Sequence, residues 1–193
     1  MQSNWMYPEP RPGLDGMLDR FIGPGASPAE IALMVGTALG GGVLMVGYAL
    51  VNDLGWSFLQ IVIAALLAFD LAGGVVTNAT AAAKRWYHRE GQGFRQHFGF
   101  VAVHALHVLL MVLFFAPGDW GFFVVVYGYL LAAALIILTV PRHVQRPVAF
   151  TALMAGFLIN AYIVNAPAGW EWFVPVFYLK LLVSHLLHEE PYP

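Results

Sequence analysis

Two histidines stand inside an otherwise apolar run, FVAVHALHVLLMVLFF, over residues 100–115. Imidazole is the commonest metal ligand and the one side chain whose ordinary pKa lies near neutrality. His97, Phe100, His104 and His107 follow at i, i+3, i+7 and i+10, so on a helix the three histidines share a face. Asp70, Gly74 and Asn78 make a second stripe at i, i+4 and i+8. Tyr178, His185, His188 and Glu189 make a third, with Lys180 and Ser184 beside it. An acidic side chain at the centre of a membrane helix costs about 2.5–3.5 kcal/mol on insertion scales, so it normally faces protein and has a partner. The natural partner of Asp70 is His107 or His104, whose tautomer a carboxylate would hold and whose basicity it would raise.

That chemistry reads in three ways. A divalent metal, zinc or iron, would be held by His104, His107 and His185, the HxxH pairs 104–107 and 185–188 placing imidazoles one turn apart. Asp70 and His107 are then the catalytic candidates, and a metal-bound water would attack a lipid or other apolar substrate. Asn78, Lys84, Arg85 and Tyr178 are the candidate substrate contacts. Within KRWYHR (84–89), Arg suits phosphate while Trp and Tyr suit headgroup depth. Alternatively, Asp70 and the histidines relay protons or bind a cation in a small transporter or channel subunit. The plainest reading is a scaffold subunit of a membrane complex, its polar groups serving only helix packing, at about 0.6 kcal/mol per interhelical hydrogen bond. No HExxH and no haem-attachment motif is present. Lys180 is expected to snorkel toward the interface rather than pair with Asp70.

The elements that must position these residues are membrane helices. Hydrophobic residues make up 60% of the 193 and charged residues 10%, against about 25% charged in soluble domains. Six apolar runs fall at about 28–51, 57–83, 98–116, 120–140, 147–166 and 171–188. The expected fold is an all-α polytopic bundle of six transmembrane helices in three antiparallel hairpins. A short interfacial helix precedes it, with Leu14, Met17, Leu18, Phe21 and Ile22 on one face. In domain terms, residues 1–26 are an N-terminal segment, 27–190 the membrane domain and 191–193 a tail. No cleavable leader pattern is expected. With no cysteine there are no disulfides or thiolate ligands, and a net charge of −2 without a basic tail excludes nucleic acid as a partner. Lipid is the expected partner, with a second copy or a membrane-complex subunit beside it.

Orientation follows from charge. The turns NDLGW (52–56), PGDW (117–120) and PAGWE (167–171) hold no Lys or Arg. The connections 84–97 and 141–146 hold Lys84, Arg85, Arg89, Arg95, Arg142 and Arg146. The positive-inside rule places both termini and the basic loops in the cytoplasm, in a plasma or inner membrane, with Trp at headgroup level in each outer turn. The likeness of those turns is weak ground for a triplicated hairpin, since interfacial Trp suits any such turn. Because the chain has no native cysteine, Ala168→Cys is expected to react with a membrane-impermeant thiol reagent from the outside only. Labelling from the cytoplasmic side alone would invert the topology.

Overall fold

The computed structural model describes residues 6–189, and every regular element among them is helical. The first helix, α1 (Gly13–Ile22), leaves Leu14, Met17, Leu18 and Phe21 exposed and turns Asp19 inward. Arg11 grips that carboxylate with its backbone N–H and Nε, both 2.9 Å from Oδ2, and with Nη2, 2.8 Å from Oδ1. The Arg11 hydrogen bonds hold the Asp19 carboxyl below its usual range. An apolar face left open on a short helix suits the interfacial reading, although Ile22 is buried instead of exposed with the others.

Two long helices follow, each started by a reciprocal cap that satisfies otherwise orphaned N–H groups. In α2 (Pro28–Val51), Glu30 N–H donates to Ser27 Oγ and Ser27 N–H to Glu30 Oε2. Ser57 and Gln60 repeat the device at α3 (Phe58–Ala79). These helices pack closely because two glycines let them. A Cβ on Gly41 would lie 2.7 Å from Ala72 Cβ, and one on Gly73 2.6 Å from Ala38 Cβ. Gly36, Gly40 and Gly47 meet nothing within 4 Å, so the glycine content of α2 mostly faces outward.

Thr80 interrupts the second expected span with extended backbone, and its hydroxyl caps α4 (Ala81–Tyr87). The third span divides at His104 into α5 (Phe94–Val103) and α6 (Ala105–Phe114). Then come α7 (Trp120–Thr139), α8 (Arg142–Tyr162) and α9 (Phe173–Tyr178), which passes directly into a π-helical segment, Leu179–His185. This last element is the hub. It and α9 touch α3, α7 and α8, and Phe173, Val174, Phe177, Tyr178, Leu181 and Leu182 are completely buried.

Among the described residues, four helices are long and apolar enough to cross a membrane: Pro28–Val51, Phe58–Ala79, Phe94–Phe114 and Trp120–Thr139. The chain thus has the character of a helical membrane protein. The other two expected spans take different forms. The helix Arg142–Tyr162 opens in a charged turn, and the apolar helix Phe173–His185 is shorter than 18 residues. The pairing is uneven, with α2 and α3 packing together far more extensively than α5 and α6 with α7, or α8 with α9 and the π segment.

The three tryptophan turns gather at one end of the bundle. Trp56 stacks on Trp170 at 5.7 Å between ring centroids, and Phe115 lies 4.6 Å from Trp170. Trp170 is fully buried, so it is a core residue and not the headgroup anchor its turn implies. Of the three turn tryptophans, only Trp120 is half exposed. The N-terminal segment and C-terminal tail expected at residues 1–5 and 190–193 lie outside the described residues.

Gly41→Val is expected to wedge α2 from α3 and lower stability by about 1–3 kcal/mol, the usual cost of overpacking. Gly36→Val, in open space, should leave the unfolding temperature in detergent near that of the parent. Equal shifts in the two variants would refute the close approach.

Candidate functional site

Asp70 sits in the second half of α3, nine residues before its end. Its Oδ2 receives hydrogen bonds from two other elements: His107 Nε2 of α6 at 2.7 Å and Lys180 Nζ of the π segment at 2.5 Å. Lys180 is 3% exposed, so the core buries an ammonium group whose counter-charge is Asp70. A buried lysine needs such a partner, because an uncompensated buried charge costs several kcal/mol.

The local backbone makes room for this triad. A Cβ on Gly74 would stand 2.4 Å from Lys180 Cε, so the lysine stem crosses α3 where α3 has no side chain. The stripe Asp70–Gly74–Asn78 is thus a carboxylate followed by a notch. Lys180 does not snorkel, contrary to the expectation. Lys180 lies in the π segment, whose wider turn is closed by Leu186 N–H donating to Leu181 O at 3.2 Å, and it is buried against α3. Such π turns are rare and recur at functional sites.

His104 completes the group from the break between α5 and α6. Its N–H bonds to Val101 O, and His107 N–H bonds back to His104 O, a tight i to i+3 pattern. The His104 ring stacks on His107 at 4.9 Å, and both lie against Phe177. Since a carbonyl only accepts, His104 donates Nδ1–H to Phe100 O at 2.7 Å and keeps its lone pair on Nε2. By the same logic His107 donates Nε2–H to Asp70, while its buried Nδ1 has no hydrogen-bond partner. One ligating atom from each of Asp70, His104 and His107 lies within 4.8 Å of the others, so this group can hold a metal ion. The Asp70 side chain is 39% exposed, which leaves the triad open on one side.

The remaining expected site residues go elsewhere. His185 does not join His104 and His107, because the Phe100 ring stands between, stacked on His185 at 3.9 Å and 4.8 Å from His104. It joins His97 and His88 instead. Tyr178 is fully buried, donates its hydroxyl to Val126 O at 3.0 Å and presses against Gly156, which makes it a packing residue. Asn78 is buried near the end of α3.

Lys84 is also buried. Its Nζ donates to Ser184 O at 2.8 Å and Leu187 O at 2.7 Å, carbonyls left open where the last helix ends. Burial lowers its pKa to about 8, against the opposing pull of Glu189. The Lys84 ammonium therefore fastens the C-terminal helix instead of facing a headgroup. Arg85 is half-buried on the same short helix. His143 is exposed and apart from both histidine groups.

Asp70→Asn removes the charge facing Lys180 and is expected to cost about 3–5 kcal/mol. Asp70→Asn with Lys180→Met should recover most of that loss, because no unpaired charge then remains. A double-mutant cycle on thermal unfolding in detergent measures the coupling, and additive losses would deny the ion pair.

Compared with protein families, with curated proteins and with solved structures, the chain matches none.

Proposed function

We propose that the chain is a small proton-coupled transporter or channel subunit of six membrane helices. In this reading both termini and the basic loops face the cytoplasm and lipid surrounds the bundle. The observation that carries it is the sharing of one carboxylate, Asp70, between Lys180 and His107 across three helices. Lys180 and Asp70 cancel one another, and a neutral His107 adds a donor without adding charge. A proton arriving on His107 Nδ1 leaves the site with one excess positive charge in a poorly hydrated interior. Two unit charges 4 Å apart at an effective dielectric of 20 interact by about 4 kcal/mol. The site therefore relaxes by passing a proton on, by rearranging the Asp70 contacts or by exchanging another cation. Each is an elementary step of proton-coupled transport.

Reconstitution tests this. Liposomes enclosing a pH-sensitive dye and carrying the protein should dissipate an imposed pH gradient faster than empty ones. Asp70→Asn combined with Lys180→Met, which removes both charges together, should fall to the empty-liposome rate while remaining folded. Flux in that variant equal to the parent's would overturn the proposal.

A second reading keeps a zinc- or iron-dependent intramembrane enzyme acting on a lipid. It is supported by the mutual spacing of the Asp70, His104 and His107 ligating atoms. Lys180 argues against it, since a divalent ion near the ammonium doubles the repulsion of about 4 kcal/mol. The two readings part on one variant. If the site is a metal centre, Lys180→Met raises zinc affinity; if it is a proton site, purified parent and variant both lack stoichiometric metal at Asp70.

A further inference from the structure

On the side of α3 away from Asp70, a groove of about 790 Å³ opens between α2, α3 and the start of α9. Ala68 and Ala72 of α3 line it, each two residues from Asp70 and so about 200° round the helix from it. Its floor is shallow in side chains because Gly41 and Gly47 of α2 lie there, and a Cβ on Gly47 would meet nothing within 4 Å. Met45 adds an adaptable apolar wall. From Gly41 to Asn52 the groove follows eleven residues of α2, about 16 Å at 1.5 Å per residue. That is half of a bilayer hydrocarbon core of about 30 Å. The volume is that of a small-molecule site, for which about 300–1,000 Å³ is usual.

The end of the groove at the tryptophan turns is acidic. Glu171 lines it there, exposed, with its Oε1 accepting the Gly169 N–H at 3.2 Å. Among the described residues no basic side chain forms an ion pair with this carboxylate. The adjoining turns, 52–56 and 167–171, hold no Lys or Arg. The N–H donors at this rim are already engaged: Asn52 donates its amide to Tyr48 O at 2.8 Å, and Trp172 its indole N–H to Gly169 O at 3.0 Å. What the rim offers a ligand is therefore a negative charge beside the Tyr48 and Trp172 rings. Aromatic faces attract an ammonium within about 6 Å. A phosphate or sulfate would find no cation there.

We propose that this groove binds a single-chain cationic amphiphile, an apolar chain bearing an ammonium head. The chain lies over Gly41, Gly47, Ala68 and Ala72, and the head sits at Glu171 between the Tyr48 and Trp172 rings. A lipid with a phosphate head is disfavoured by the missing donors, and a neutral lipid leaves the Glu171 charge uncompensated. The groove shares no side chain with the Asp70 triad, so the site stands independently of the proton reading.

Dodecyltrimethylammonium with a brominated chain, added to the purified protein in a neutral maltoside detergent, tests this by quenching tryptophan fluorescence. The same brominated chain with a hydroxyl or a sulfate head is the control. The cationic probe is expected to quench saturably at about one equivalent, whereas the controls quench only in proportion to their share of the micelle. Glu171→Gln, which keeps an acceptor for Gly169, should weaken the cationic probe about two- to fivefold, the range of an exposed ion pair. Gly47→Phe fills the floor where the space is open and should abolish saturation in a folded protein. Affinity unchanged by Glu171→Gln, or saturation unchanged by Gly47→Phe, places the probe elsewhere and overturns the proposal. Equal saturation by all three probes makes the groove a general lipid site and overturns the ammonium assignment. Linear quenching by the cationic probe in the folded parent overturns the site without recourse to any variant. If that parent is also a dimer that Gly47→Phe separates, a second copy of the chain is the occupant instead.

Discussion

A lysine ammonium inside an apolar helical bundle is the constraint on which the rest of this structure depends. Lys180 is 3% exposed, and its side chain reaches the Asp70 carboxylate and, more weakly, the Asp70 carbonyl. Neither charge can be buried alone at tolerable cost. The stem therefore needs the notch at Gly74, and the ammonium needs the inward register of the π segment. Both requirements bear on the hub helix, which touches α3, α7 and α8. An ion pair in this position specifies how α3 meets the C-terminal helix.

His107 changes what that ion pair can do. A lone Asp–Lys pair in an apolar interior is static, because its charges cancel and its geometry is saturated. With the imidazole on the same carboxylate oxygen, the pair acquires a third group able to take a proton at an atom with no partner, His107 Nδ1. His104, stacked beside it and held by the Phe100 carbonyl, offers a second free nitrogen. The break between α5 and α6 falls at His104 itself, so the backbone irregularity and the chemistry coincide there. Another irregularity, the π segment, carries Lys180. Departures from regular helix in this chain are concentrated where polar side chains meet.

The sequence made part of this legible. An acid in the middle of an apolar run must find a partner, and the 97–100–104–107 stripe was the one at matching depth; that left His107 or His104, and His107 is the one bonded to Asp70. The apolar face of α1 was a local pattern and was readable for that reason. Lys180 was not. On a regular helix it can reach the interface in about two turns, and no local residue pattern marks a π turn. Such a turn is stabilised by the tertiary contacts it makes, here the notch at Gly74. The placement of His185 failed for a related reason. Shared depth does not make two histidines neighbours, and Phe100, an unremarkable aromatic in the stripe, fills the space between them. Trp170 likewise belongs to a turn whose composition suits an interface, yet it is consumed by the aromatic packing of Trp56, Phe115 and Trp172.

Phe100 also decides how the two histidine groups relate. Its ring touches His185 on one side and His104 on the other, and its carbonyl sets the tautomer of His104. An aromatic ring conducts no proton by hydrogen bonding, so the outer and inner imidazoles do not form an unbroken wire. The barrier is one side chain thick, however, and mechanical contact runs straight through it. His185 closes the π segment that holds Lys180. The outer and inner histidine groups therefore share one wall, the Phe100 ring, and one segment, Leu179–His185, which carries both Lys180 and His185.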